Sequence, residues 1–170
     1  IQLIPVTDRD AVRMMAQMDD CIDVLVPRGG KSLIEAVVSN PRMPVIKHYH
    51  GGCHIYVDAA AHVEMATDIL INAKCQRPGV CNSAECLLIH REVAAKFFKA
   101  AVPELLAHSV ELRADEEAAA MLSAFSYQPL ARATEEDFKT EYLALTLSVR
   151  IVDGLDEAIE HIEQYGSHHS

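Results

Sequence analysis

This sequence lacks several features that would assign a chain to a class at sight. It has no basic excess: 15 Lys and Arg stand against 25 Asp and Glu, a formal net charge of −10 at pH 7. A nucleic-acid binder normally carries a basic face. It has no apolar run near the ~20 residues a bilayer span needs, no signal-peptide pattern, and no initiator methionine before Ile1. Cys21, Cys53, Cys75, Cys81 and Cys86 are odd in number and lack the spacing of a disulfide framework, which suits a reducing cytosol. There is no internal repeat and no low-complexity segment. The expectation is a cytoplasmic protein with neither nucleic acid nor membrane as a partner.

What is present is globular composition: 50% apolar and 24% charged over 170 residues, enough for one ordinary domain with a real core. Ile1–Pro5 reads as a short strand, and Thr7 to Asp10 as a capped helix start. Val12, Met15 and Met18 recur at helical spacing, so Met14, Met15 and Met18 are expected to fill core. The β-branched run Ile22–Pro27 reads as a strand covered on both faces. Arg28-Gly29-Gly30 then turns into a helix over 32–38, and Pro44–Lys47 is a further strand. Beyond a Gly51-Gly52 hinge come a strand His54–Asp58 and a helix 59–74 with Asp58 as its cap. Its stripe is Val63, Ala66, Leu70 and Ala73. There follow a strand Cys86–Ile89, a helix through Leu106, a strand 110–113, a helix 116–125, a loop 127–134, a strand 145–152 and a last helix ended by Gly166. Strand–helix alternation of this kind predicts a largely parallel α/β sheet.

Two stretches carry chemistry. Three His and one Cys within His48-Tyr49-His50-Gly51-Gly52-Cys53-His54 have zinc-ligand chemistry, but the spacing fits no usual zinc pattern; a hinge between domains is expected there, with no metal. The other stretch is Lys74-Cys75-Gln76-Arg77-Pro78-Gly79-Val80-Cys81-Asn82. A helix-like run is broken by Pro78 and Gly79, and a cysteine follows directly. Such a turn can expose a thiolate beside its own backbone N–H, the donor a developing oxyanion needs. Lys74 and Arg77 lie just upstream, where positive charge favours a thiolate.

Gln76 to Asn82 resembles the active-site segment of the gamma-glutamyl phosphate reductase family, within the aldehyde dehydrogenase superfamily. Ile22 to Gly30, Gly52 to Asp58, Thr140-Glu141-Tyr142-Leu143 and Tyr165-Gly166-Ser167 resemble the same family in the same order. The resemblance implies an aldehyde-dehydrogenase-like α/β fold: the end of a Rossmann-like cofactor domain over 1–49, then most of a three-layer α/β catalytic domain over 50–170. It also implies that the chain is an internal fragment, truncated at both ends. The implied reaction is NADPH-dependent reduction of L-glutamyl 5-phosphate to L-glutamate 5-semialdehyde and phosphate through a cysteine thioacyl intermediate, in proline biosynthesis.

By that resemblance Cys81 is the nucleophile, while Cys53, Cys75 and Cys86 are structural. Lys74, Arg77 and Asn82 are expected to hold the substrate, and Arg28, Gly29, Gly30 and Glu141 the NADPH or NADP. A side-chain amide for the oxyanion is expected from the absent N-terminal part. Full-length protein is expected to be a homo-oligomer, and the fragment alone inactive. No carboxylate lies between Asn40 and Asp58, where hydrolytic members of the superfamily keep a general base, so phosphate and not water is the expected acyl acceptor; His50 is the one residue there that could substitute. The other readings are a hydrolytic aldehyde dehydrogenase of another semialdehyde, the reductase half of a fused glutamate kinase-reductase, an inactive binding fragment, and a small zinc protein.

Overall fold

The computed structural model describes residues 1–47, 51–128 and 130–167 and divides the chain into two compact units, Ile1–His50 and Gly51–Ser170. His48, Tyr49 and His50, hence most of the histidine cluster, lie outside the described residues.

The first unit contains α1 (Arg9–Met15) and α2 (Lys31–Val38). Asp8 is the N-cap of α1, its carboxylate accepting from the Asp10 N–H at 2.9 Å. Ala16, Ile34, Val37 and Met43 form the buried centre. Three of the expected strands do not form. Residues 1–7 make no element, and Ile22–Pro27 and Pro44–Lys47 are reduced to a single parallel bridge between them, Leu25 to Val45. The bridge is closed by Leu25 N–H to Pro44 O at 3.0 Å and Ile46 N–H to Leu25 O at 2.8 Å. A β-rich run becomes a strand only where a neighbour satisfies its ladder. With one neighbour beside it, Val24 and Val26 stay exposed. Of the three methionines, Met15 is half-buried while Met14 and Met18 are exposed.

The second unit is a five-stranded parallel sheet in the order β1-β2-β5-β3-β4. Its strands are β1 (Cys53–Val57), β2 (Ala84–His90), β3 (Glu111–Ala114), β4 (Leu130–Arg132) and β5 (Thr146–Val152). The helices are α3 (Val63–Cys75), α4 (Arg91–Ala107), α5 (Glu116–Ala124), α6 (Glu135–Lys139) and α7 (Leu155–Tyr165). The central strands β2 and β5 are buried along nearly their whole length, as strands covered on both faces must be. Alternation along β2 sends Leu87 and Ile89 into the larger core with Leu70, Phe97, Phe98 and Leu105. Cys86 and Leu88 point to the opposite face, where Val152 and Ala158 pack with Phe138 and Ile162. That makes three layers: helix, sheet, helix.

The boundaries move for physical reasons. α3 starts at Val63, capped by His62 accepting from the Met65 N–H at 3.3 Å; Asp58 instead holds a turn, accepting from Ala60 N–H at 3.0 Å. The expected loop 127–134 contains β4, a short edge strand added to β3. Helix α6 was not legible as a helix, because one turn has no period to show. Its capping box forms it: the Asp137 carboxylate accepts from the Thr134 N–H and from the Thr134 hydroxyl, both at 2.7 Å. Asp137 also accepts from Arg113 Nη1 at 2.7 Å and from the Tyr142 hydroxyl at 3.1 Å, which fixes the start of the 140–145 loop.

Candidate active site

α3 ends at Cys75 with Gln76 as its C-cap, and β2 begins at Ala84. The chain between them is the loop that carries Cys81, held at its far end by Ser83. The Ser83 hydroxyl donates to Ala73 O at 3.1 Å and its N–H to Val80 O at 3.0 Å. Cys81, Asn82 and Arg77 are all exposed on this loop. The Cys81 N–H donates to no protein acceptor among the described residues.

Segments distant in sequence close on this loop. Gly51 packs so tightly that a Cβ built on it would lie 1.8 Å from the Cys81 carbonyl oxygen; only glycine allows that approach. The Gly51 N–H donates to Glu141 Oε1 at 2.9 Å, and the Gly52 N–H to Ser167 Oγ at 2.8 Å. The Cys53 thiol contacts the Cys81 carbonyl at 3.5 Å. Stretches that sequence reading noted separately thus connect at the backbone of the Cys81 loop: Gly51 and Cys53 touch the Cys81 carbonyl, and Glu141 and Ser167 hold Gly51 and Gly52. Gly51 and Ser167 were not singled out as site residues. A glycine pair reads as a hinge until the chain it touches is known.

Lys74 departs from expectation. Its side chain is fully buried, and Nζ donates to Glu85 Oε2 at 2.7 Å. Glu85 Oε1 accepts the Leu143 N–H at 3.3 Å. Burial is the largest influence on both groups, pulling the Lys74 ammonium down and the Glu85 carboxyl up, against their mutual attraction. An ammonium so enclosed does not meet a substrate. It ties the end of α3 to the start of β2, the two feet of the Cys81 loop, while Glu85 reaches on to the 140–145 loop, where Leu143 sits at a left-handed φ of 53°. Glu85 lies three residues beyond the Lys74 to Asn82 stretch and carries no sequence signal of this contact.

The remaining thiols sit in different environments. Cys86 is buried and its thiol pushed well up by desolvation. Cys75 is half-buried and also pushed up, mainly by desolvation. In the first unit, Gly30 is the N-cap residue of α2, with no side-chain cap, and Arg28 is exposed. Gly29 has a φ of +153°, and a Cβ there would meet Leu33 Cδ2 at 2.6 Å. A shallow depression lined by Glu64, Thr67, Asp68 and Asn72 runs beside α3 and does not include Cys81. Among the described residues no helix is long and apolar enough to cross a membrane.

No family model matches the chain. Over its whole length it is 49% identical to a gamma-glutamyl phosphate reductase from Citrifermentans bemidjiense, of which it spans 40%. It also superposes on the crystal structure of gamma-glutamyl phosphate reductase from Thermotoga maritima with a TM-score of 0.85 and 41% identity, over 96% of this chain and 38% of that one. An acetylating aldehyde dehydrogenase from Geobacillus thermoglucosidasius matches with a TM-score of 0.66 over 92% of this chain and 42% of that one. At 19% identity, that last likeness carries the fold alone.

Proposed function

The chain belongs to the gamma-glutamyl phosphate reductase family, and on that premise we propose that it carries the catalytic cysteine and part of the cofactor site of a reductase converting L-glutamyl 5-phosphate to L-glutamate 5-semialdehyde. The observation that supports this most is the packing of Gly51 and Cys53 against the Cys81 carbonyl, with Glu141 holding the Gly51 N–H. The Cys81 thiolate attacks the acyl carbon, the bond to phosphate breaks, and phosphate leaves with its electron pair. A thioester on Cys81 remains. NADPH, when bound, supplies the hydride that reduces that thioester. The resulting thiohemiacetal collapses to the aldehyde and frees the thiol.

Each role rests on the chain's own residues. The uncommitted Cys81 N–H faces the charge of the tetrahedral species. Exposed Arg77 and Asn82 share the loop with Cys81 and would bind the phosphoryl or carboxylate oxygens; Lys74 is removed from that set by its pairing with Glu85. The Arg28-Gly29-Gly30 turn opens a helix with no side-chain cap, and a Cβ on Gly30 would meet nothing within 4 Å. Free N–H groups at a helix start with open space before them fit a dinucleotide phosphate. Glu141 commits one oxygen to Gly51, and the other would accept from a cofactor hydroxyl. These roles, with a cytoplasmic setting and proline biosynthesis as the pathway, belong to the proposal.

The test is a full-length enzyme in which this segment replaces its counterpart in the C. bemidjiense relative. Oxidation of glutamate 5-semialdehyde is then followed with and without inorganic phosphate. A strict phosphate requirement, and a loss of roughly 10³-fold or more in Cys81→Ala, are the expected results. Equal rates without phosphate would instead indicate a hydrolytic dehydrogenase, with His50 the candidate base.

A further inference from the structure

On the face of the sheet turned toward α7, one side-chain atom is out of order. His54 Nε2 is buried and is the single such atom without a hydrogen-bond partner among the described residues. Buried polar atoms in native proteins are nearly always satisfied, and an exception calls for an occupant. The other ring nitrogen, Nδ1, lies 2.8 Å from the Gly52 carbonyl. That contact places the proton on Nδ1 and leaves Nε2 as a bare lone pair aimed inward.

What surrounds it is a set of metal ligands. His54 and Cys86 are register partners on β1 and β2, so their side chains leave the same face. His161 on α7 packs onto that face, with its Nε2 at 3.6 Å from Cys86 Sγ. The three ligand atoms lie within 4.8 Å of one another. Bond lengths of about 2.0–2.1 Å to nitrogen and 2.3 Å to sulfur in a tetrahedral zinc site put ligand atoms roughly 3.3–3.6 Å apart. The Cys86–His161 separation already matches, and the widest gap must close by about 1 Å. Phe138 meets His161 edge-on and Tyr165 at a tilt, with ring centroids at 5.0 and 4.6 Å, so aromatic rings border the site.

We propose that His54, Cys86 and His161 form a three-ligand site for a borderline-soft divalent cation of the zinc type, separate from Cys81. Among the described residues no fourth His, Cys or carboxylate joins the three, so a water or other exchangeable ligand would complete the tetrahedron. The Gly52 carbonyl on His54 Nδ1–H is the outer partner such a ligand normally has, fixing the tautomer and the ring orientation. Arg150 Nη1 lies 3.4 Å from His161 Nδ1 and favours the tautomer with the proton on Nε2. Coordination moves that proton to Nδ1, and Arg150 is left to Glu157, which it already holds at 2.8 Å. The Cys86 thiol releases its proton to solvent and binds as thiolate. The histidine cluster in the sequence pointed away from this site, because two of its three ligands are distant in the chain and were brought to His54 by the sheet and α7.

The experiment is a cobalt(II) titration of the reduced, metal-free 170-residue chain, read in the thiolate-to-cobalt charge-transfer band and reversed with zinc. The expected result is a band saturating at one equivalent. It should be lost in Cys86→Ser, weakened at least roughly tenfold in His54→Gln and in His161→Gln, and unchanged in Cys81→Ser. Circular dichroism of each variant checks that the fold is kept; His54→Gln, at a half-buried edge-strand position, serves as the second reading should Cys86→Ser or His161→Gln unfold. A folded wild-type chain with no charge-transfer band, or a band that survives Cys86→Ser or His54→Gln in folded protein, overturns the proposal.

Discussion

Cys81 and Cys86 belong to one loop-and-strand unit and differ in what controls thiol chemistry. Cys86 is enclosed in the sheet and its thiol is pushed up by desolvation. Cys81 stands on an exposed turn, and its N–H donates to no acceptor among the described residues. Cys21 is exposed too, but its thiol is raised by desolvation and the neighbouring Asp20 carboxylate. Reaction with iodoacetamide goes through the thiolate and needs access. Mass mapping of the chain at neutral pH should therefore find Cys81 labelled first, ahead of Cys21 and well ahead of Cys75 and Cys86. Earlier labelling of Cys53 or Cys86 would count against Cys81 as the nucleophile.

At the scale of elements, the Cys81 loop is a short connection whose shape is set at its feet. Lys74 ends α3, Glu85 begins β2, and their buried contact spans the loop. A buried pair of this kind contributes little net stability compared with an apolar substitute, while breaking it leaves one charge unpaired. Lys74→Met alone should cost about 3–5 kcal/mol by urea unfolding, since Glu85 is then left with backbone donors of the 140–145 loop and no cation. Lys74→Met with Glu85→Leu should recover most of that loss. The double variant should still label more slowly at Cys81 than wild type, because the loop loses its tie to the 140–145 segment. Wild-type labelling in a stable double variant would show the pair to be structural only.

On the scale of the whole molecule, the residues given proposed roles are divided between the two units. The turn Arg28-Gly29-Gly30 belongs to the first unit and Cys81 to the second. The chain spans about 40% of the length of the curated relatives it matches. Calorimetry of the 170-residue chain with NADPH should show weak binding at most, and no turnover of glutamate 5-semialdehyde. Tight, stoichiometric binding would mean that the turn and its immediate surroundings suffice for the cofactor.

The sequence by itself determined the fold class, most of the elements of the second unit and the loop bearing Cys81. Those features rest on local signals: the continuous apolar run in β2, the helical stripe of α3, and a Pro-Gly break directly before a cysteine. It misjudged the first unit, where Ile1–Pro5, Ile22–Pro27 and Pro44–Lys47 read as strands but lacked the pairing that makes one. Tertiary structure alone decided which charges work and which are enclosed. Lys74 looked like a substrate ligand because its neighbours in sequence are Arg77 and Cys81, whereas its neighbour in space is Glu85. Gly51 against Cys81, Glu141 on Gly51, and the meeting of His54 with Cys86 and His161 are likewise long-range contacts. The parallel sheet is the physical reason. Its register and crossovers bring together residues from separate strand–helix units, a pairing that no local periodicity encodes.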